Sequence, residues 1–269
     1  MDYSLSLETV DELSFYISRP LLDRHRILAV FTMRQGGTSL EPYSSLNLAF
    51  HVGDDTKTVI RNREAVCQLF GIDPTRITCA EQVHRAEVAI VTDPDTGAGA
   101  LSFEDSIKGV DALISDRRFA PLMLFFADCI PIILVDPQKR VVGVVHAGWR
   151  GIRAEIIKNA IEMITRSWLV VPDRIIAFIG PSIGACCYQV SNDLIRKFSD
   201  QFKGNRDWLY GDRVDLRALG RSQLVKSGIQ VDNIYLCNDC CTSCQSEIFF
   251  SYRAEAGKTG RQAALVAII

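Results

Sequence analysis

The chain has 269 residues, 48% hydrophobic and 23% charged, which is enough apolar content for a large core and argues against global disorder. Its net charge is −2 and its Lys and Arg are scattered rather than banded, so no dedicated nucleic-acid partner is expected. Nine cysteines, an odd number, point to thiols or metal ligands rather than a disulfide framework in a cytoplasmic protein.

In chain order, the opening MDYSLSLETVDELSFYISRP lacks the basic start and apolar core of a secretory signal. Runs rich in Val, Ile and Phe predict strands at Ile27–Met33, Arg76–Val83, Val88–Val91, Ala112–Ser115, Leu122–Phe126, Ile132–Val135 and Val141–His146. Further strands are predicted at Ile175–Ile179, Ile234–Cys237, Ile248–Ser251 and Ala264–Ile269. Apolar periodicity predicts helices over Thr58–Phe70, Gly151–Ser167, Asp193–Phe202 and Leu216–Lys226, the last behind Asp215 as N-cap. The segment DTGAGALSFED, 95–105, reads as a mobile surface loop. The longest apolar run, Ala120–Ala127, is too short to span a bilayer, so no membrane partner is expected. Strands outnumber helices, and too little chain joins 122–126 to 132–135 for a crossover helix. Those two must pair antiparallel or lie in different sheets, which favours α+β over a doubly wound parallel fold. One domain, 1–269, is the simplest organisation.

Three motifs in or beside the most apolar stretch each carry a soft metal ligand: QVH with His84, ADCIP with Cys129 and VVHAGWRG with His146. Their separations match no local zinc finger, so the fold must assemble any shared site. Two histidines and a cysteine leave a tetrahedral metal one open position, the arrangement of catalytic zinc. Taken singly, a half-buried histidine or a buried free cysteine is commonplace in cores. Asp128 changes the weighting, because a carboxylate ending an apolar strand is costly unless it is paired or orients a metal-bound imidazole. Arg150, at a helix start, and Arg34, in FTMRQGGTS, are candidate anion ligands. Asn47, in SSLNLAFHVGDD, is either a substrate ligand or a loop cap. Cys186 and Cys187 in IGPSIGACCY are adjacent and read as unsuited to one metal. The four cysteines of CNDCCTSC, 237–244, are too cramped for two zinc knuckles and read as packed or exposed thiols.

Together QVH, ADCIP, VVHAGWRG, IGPSIGACCY, FFSYRAEAGKTGR, RQGGTS and SLNLAFHVGDD closely resemble the YfiH/YlmD family, also called laccase-domain or polyphenol oxidase proteins, which includes human FAMIN. The resemblance runs from about residue 27 to the C-terminus. It implies a four-layer α/β/β/α sandwich with mixed sheets, like the catalytic domain of cytotoxic necrotizing factor. It also implies one zinc per chain on His84, Cys129 and His146, with copper as a possible substitute. The implied chemistry is phosphorolysis of adenosine, inosine and methylthioadenosine, and deamination of adenosine, with purine nucleosides and inorganic phosphate as partners.

Four functions compete. A zinc-dependent purine nucleoside enzyme would use His84, Cys129 and His146 as catalytic centre and Arg34, Asn47 and Arg150 for substrate, with Asp128 or Glu81 as unranked acid/base candidates. A multicopper oxidase would require on the order of ten histidines, and the chain has four. A hydrolase with Cys129 as nucleophile and His84 or His146 as base is a sound design. By the resemblance it would edit peptidoglycan precursors as a UDP-muramyl-serine amidase. A non-enzymatic zinc scaffold is disfavoured by an open three-ligand site. A monomer or weak homodimer is expected.

Overall fold

A computed structural model describes residues 2–204, 206–237 and 240–269. In chain order its elements are β1 (Ser6–Val10), β2 (Leu13–Ile17), α1 (Arg19–His25), β3 (Ile27–Thr32), α2 (Thr56–Leu69), β4 (Thr78–Cys79), β5 (Val88–Ile90), β6 (Ala112–Ser115), β7 (Leu122–Phe126), β8 (Ile130–Asp136) and β9 (Val141–Ala147). There follow α3 (Trp149–Arg153), α4 (Ile156–Trp168), β10 (Ile176–Ile179), α5 (Asn192–Gln201), β11 (Leu209–Tyr210), β12 (Arg213–Val214), α6 (Leu216–Lys226), β13 (Ile234–Leu236) and β14 (Gln262–Ile268).

Two six-stranded mixed sheets form the centre, ordered β1-β2-β3-β14-β7-β4 and β13-β10-β8-β9-β6-β5. Their central strands are apolar on both faces because both faces are covered. Along β7, Leu122, Leu124 and Phe126 meet Val142, Val144, Ile133 and Phe178 of the second sheet, forming the layer between the sheets. The alternate residues Met123 and Phe125 face outward, onto Val66 and Cys67 of α2. On the far side of the second sheet, Ile130, Ile132 and Val145 pack on Ile156, Ile157 and Ile161 of α4 and Leu219 of α6. Alternation with period two thus yields an α/β/β/α sandwich, an α+β fold. Only Ala127–Cys129 separate β7 from β8, and those two strands lie in different sheets.

Several elements depart from expectation. The single helix expected over Gly151–Ser167 is two, α3 and α4, broken where Glu155 takes a positive φ of 63°. Ile152 and Ile156 are both buried in one cluster, so the apolar period survives the break and hides it. No strand forms over Ile248–Ser251. Phe249 and Phe250 are fully buried in irregular chain that follows a run of turns, and the Gln262 amide takes the place of a neighbouring strand by accepting from Phe250 N and donating to Phe250 O. The strand expected over Arg76–Val83 stops at Cys79, and the Gln82 amide pairs in the same way with both backbone groups of Phe125. The 95–105 segment is turn-rich, but the buried Arg63 donates to the carbonyls of Gly99 and Ala100 and ties it down. A disulfide joins Cys237 to Cys240, where thiols were expected; it closes a three-residue step and links no distant segments. No helix among the described residues is long and apolar enough to cross a membrane.

Candidate functional site

The loop from β4 to β5 passes from the first sheet to the second and carries His84. The link from β7 to β8 makes the same crossing and carries Cys129. His146 is the penultimate residue of β9, which pairs with β8. The ligand atoms of these three residues all lie within 4.8 Å of one another. His146 is buried, Cys129 half-buried and His84 exposed, so the site opens on the His84 side. Both crossings turn sharply: His84 has φ 61° and Asp128 φ 86°, backbone conformations that disfavour non-glycine residues and occur where surrounding contacts over-determine them.

Asp111, fully buried just before β6, holds the site together. Its carboxylate accepts from His146 Nδ1 at 2.7 Å and from the backbone N–H groups of Val83, His84 and Arg85 at 3.2, 3.0 and 2.7 Å. Its carbonyl also accepts from His146 N. One carboxylate therefore shapes the QVH loop and fixes a Nδ1–H tautomer on His146, leaving Nε2 as the free lone pair. Burial is the largest single influence on Asp111 and pushes it up, but the His146 hydrogen bond, the His146 charge and the Arg85 and His84 amides together outweigh it and hold Asp111 below the usual carboxylate value.

Burial likewise pushes the Cys129 thiol up, yet His146 and His84 together bring it down to about 6. Burial lowers His146, but the Cys129 charge and Asp111 raise it to about 9. The two shifts share one cause, the attraction between a Cys129 thiolate and a proton on His146 Nε2, and a bound metal would take the place of that proton. Gly148 leaves room for the ligands, since a Cβ there would lie 2.9 Å from Cys129 Sγ and 3.5 Å from His84 Cδ2.

This donor set fits zinc. A tetrahedral ion with Zn–N and Zn–S bonds of ordinary length places its ligand atoms roughly 3.3–3.8 Å apart, a spacing compatible with a trio whose ligand atoms all lie within 4.8 Å of one another. His146 carries the buried carboxylate partner that zinc-ligating imidazoles usually have.

The other predicted residues divide. Asp128 orients no imidazole; Asp111 does that. The Asp128 carboxylate instead accepts from Thr242 Oγ1, Ser251 Oγ and Arg253 N, at 2.6–2.7 Å, and its carbonyl accepts from Ile183 N. Arg34 is committed inside the fold, to Glu255 at 2.8 Å and to the carbonyls of Ser44 and Ser246, over the Phe250 ring. Asn47 is fully buried and caps its loop, binding Ala49, Asp54 and the backbone N–H of Arg261. Arg150 is exposed over Trp149. It lies with Arg253 about Tyr188, whose hydroxyl is pushed up by burial and then by the Cys129 charge, with both arginines opposing.

Sequence reasoning passed over Asp111, His51 and Arg261. Partial desolvation, then the charges of Arg261, His146, Arg63 and His84, push His51 down to about 4 and leave it neutral at pH 7. Arg261 feels the charges of Cys129 and Asp128. His51 lines a cleft of about 440 Å³ with Phe50, Leu101, Phe103 and Glu104. His51 and Arg261 were within quoted motifs, but Asp111 stands in none.

Fold and trio together define a layered α/β/β/α protein with a His–Cys–His group placed to hold a metal ion. Residues 28–269 match the family model described as Multi-copper polyphenol oxidoreductase laccase, and the chain belongs to that family. It is 36% identical over 245 residues to purine nucleoside phosphorylase YlmD of Geobacillus stearothermophilus, covering 89% of each chain. It is 33% identical over 225 residues to adenosine deaminase RL5 from an unknown prokaryotic organism, covering 81% of this chain and 85% of that one. Among solved structures, the YfiH hypothetical protein of Bacillus licheniformis superposes with TM-score 0.92 at 32% identity, covering 98% of this chain and 99% of that one. YlmD of Geobacillus stearothermophilus superposes with TM-score 0.92 at 33% identity, covering 99% of both. The YfiH/YlmD resemblance read from the motifs is thus confirmed, and so is the fold class.

Proposed function

We propose that the chain is a zinc-dependent purine nucleoside enzyme. In this reading it phosphorolyses adenosine, inosine and methylthioadenosine to free base and the ribose (or methylthioribose) 1-phosphate, and it deaminates adenosine to inosine. The observation that carries the reading is the trio itself, oriented by Asp111 and open on one side, in a chain whose relatives bear the names of both activities. His84, Cys129 and His146 would hold the zinc. A zinc ion bound there would supply Lewis-acid polarisation at its open position.

The chain's own residues supply the rest. The cleft beside His51 has the size of a small-molecule pocket and two aromatic walls, Phe50 and Phe103, suited to a purine. Neutral His51 offers one donor and one acceptor to a base or sugar. Arg150, Arg253 and Arg261 supply positive charge at the rim for phosphate, with Arg150 and Arg253 the exposed members. Adenosine incubated with enzyme and phosphate should give adenine and ribose 1-phosphate, with inosine in parallel. Omitting phosphate should abolish base release and leave inosine formation. Finding neither product would sink the reading.

One observation favours a second reading. Asp111, His146 and Cys129 also stand in the order of orienter, base and nucleophile, the design of a cysteine hydrolase. Cleavage of a UDP-linked muramyl-serine substrate, with no nucleoside turnover, would favour it.

A further inference from the structure

A second group of metal-ligating side chains lies apart from the trio. Cys186 and Cys187, from the loop after β10, meet Cys241 and Cys244, from the segment after β13, with all four sulfurs within 4.8 Å of one another. Adjacent cysteines that appeared unsuited to one metal both point into the cluster. Cys237 and Cys240 pair with each other, so the four-cysteine run is divided and only its second half faces Cys186 and Cys187.

We propose that Cys186, Cys187, Cys241 and Cys244 form a second, structural metal site that binds a thiophilic divalent cation of the zinc type. A tetrahedral ion with four thiolates spaces its sulfurs roughly 3.8 Å apart. Cys244 Sγ is 3.3 Å from both Cys186 Sγ and Cys187 Sγ, too even a pairing to single out one disulfide partner and close to what a shared central ion requires. Gly184 N donates to Cys241 Sγ at 3.2 Å, the amide-to-sulfur contact that steadies a thiolate ligand. A polynuclear iron–sulfur core, with inorganic sulfide between the thiolates, needs cysteines farther apart. Four protein ligands close the coordination sphere, so the site holds structure rather than substrate.

What it holds is the wall of the first site. The 180–190 loop and the 241–253 segment converge on Asp128. Ile183 N binds its carbonyl, Thr242, Ser251 and Arg253 bind its carboxylate, and the Arg253 guanidinium reaches back to the carbonyls of Cys187 and Gln189. A metal joining the two segments at their cysteines fixes Arg253 and Tyr188 beside Cys129.

The test uses full-length protein purified anaerobically in reductant and loaded with zinc or with cobalt(II). Wild type should bind about two ions per chain. Cys129→Ala should lose one and keep an ion whose cobalt spectrum shows the intense sulfur-to-metal charge transfer of four thiolates. Cys244→Ser should lose that spectrum, keep the ion on His84, Cys129 and His146, and melt at lower temperature. If Cys244→Ser fails to fold, Cys129→Ala alone decides. A Cys129→Ala protein that folds but binds no cobalt overturns the proposal, as does peptide mapping that finds these four cysteines disulfide-linked in fresh protein.

Discussion

Replacing Asp111 by Asn tests the claim that one buried carboxylate builds the site. The four donors aimed at it are His146 Nδ1–H and three backbone N–H groups. An amide has one acceptor oxygen and one NH2, so at least one donor must face another donor. If the NH2 takes the place of Oδ2, the Val83 and Arg85 N–H groups lose their acceptor, while His84 N and His146 keep theirs. If it faces His146, the imidazole must move its proton to Nε2, the nitrogen that faces Cys129 and would ligate zinc. Losing hydrogen bonds to a buried charge costs about 1.5–3 kcal/mol each, so a net destabilisation of roughly 2–4 kcal/mol is expected. For a chain this long that lowers Tm by roughly 5–15 °C. Mutations of this kind of orienting group weaken metal binding by about 10–100-fold, equivalent to about 1.4–2.7 kcal/mol. Competition with a zinc chelator measures the affinity, and scanning calorimetry the stability. Wild-type zinc affinity and nucleoside turnover in Asp111→Asn would refute the argument, whatever its Tm.

Four further outcomes follow from the same geometry. His84→Ala and His146→Ala should each lose the ion of the first site or hold it at least ~10-fold more weakly by equilibrium dialysis, the loss of one of three ligands. Cys129 should resist iodoacetamide in zinc-loaded protein and react quickly after chelation, as read by peptide mapping; rapid alkylation of the fully loaded protein would identify a nucleophile instead of a ligand. Gly148→Ala keeps a backbone that any residue can adopt, φ −76°, but puts a methyl 2.9 Å from Cys129 Sγ. It should cut zinc affinity and turnover by at least ~10-fold while moving Tm by under about 5 °C, because local displacement of a ligand is costly and the fold is not. Arg63→Leu strands the carbonyls of Leu48, Gly99 and Ala100, three acceptors in the interior, and should cost about 3–5 kcal/mol in urea melts.

The central strands were legible because both their faces are buried. LMLFF is apolar at every position and VVGVVHA at every position but His146, and no other element produces such short runs between Asp, Pro and Gly. The N-terminal hairpin was not legible. β1 lies at the sheet edge with four of its five residues exposed, so SLETV carries no apolar signal. Ile248–Ser251 misled for the opposite reason: it is apolar because it is buried, and its backbone is satisfied by a glutamine side chain rather than by a strand. Pattern reading tests burial well and hydrogen-bond partner poorly.

At the site, the three ligands were legible because soft ligands are few and stand in short motifs. Asp111 was not, since an aspartate before a strand is ordinary and its partner is 35 residues away. Asp128, which the sequence favoured for the orienting role, is the reverse case. It adjoins Cys129 in the chain, yet its φ of 86° goes with a carboxylate bonded to the 242–253 segment rather than to the imidazoles. Neighbours in sequence are poor guides to neighbours around a ligand.

The place of the trio follows from topology. The chain passes from the first sheet to the second in the β4–β5 loop and again between β7 and β8, and those two crossings carry His84 and Cys129. Residues in a crossing belong to neither hydrogen-bonded ladder, so their side chains are released from the alternation that commits every neighbouring strand residue to a core. His146 is different: it lies within the ladder, where Pro131 pairs with His146 and Ile130 with Ala147. That register turns His146 to the same side of the sheet as Val142 and Val144, between the sheets and beside Phe126, while Val145 and Ala147 turn toward the helices. A slip of one residue between β8 and β9 would send the imidazole into the helical layer and away from both Cys129 and Asp111. The site therefore depends on the pairing of two strands that contribute only one of its ligands, and it is as specific as their register.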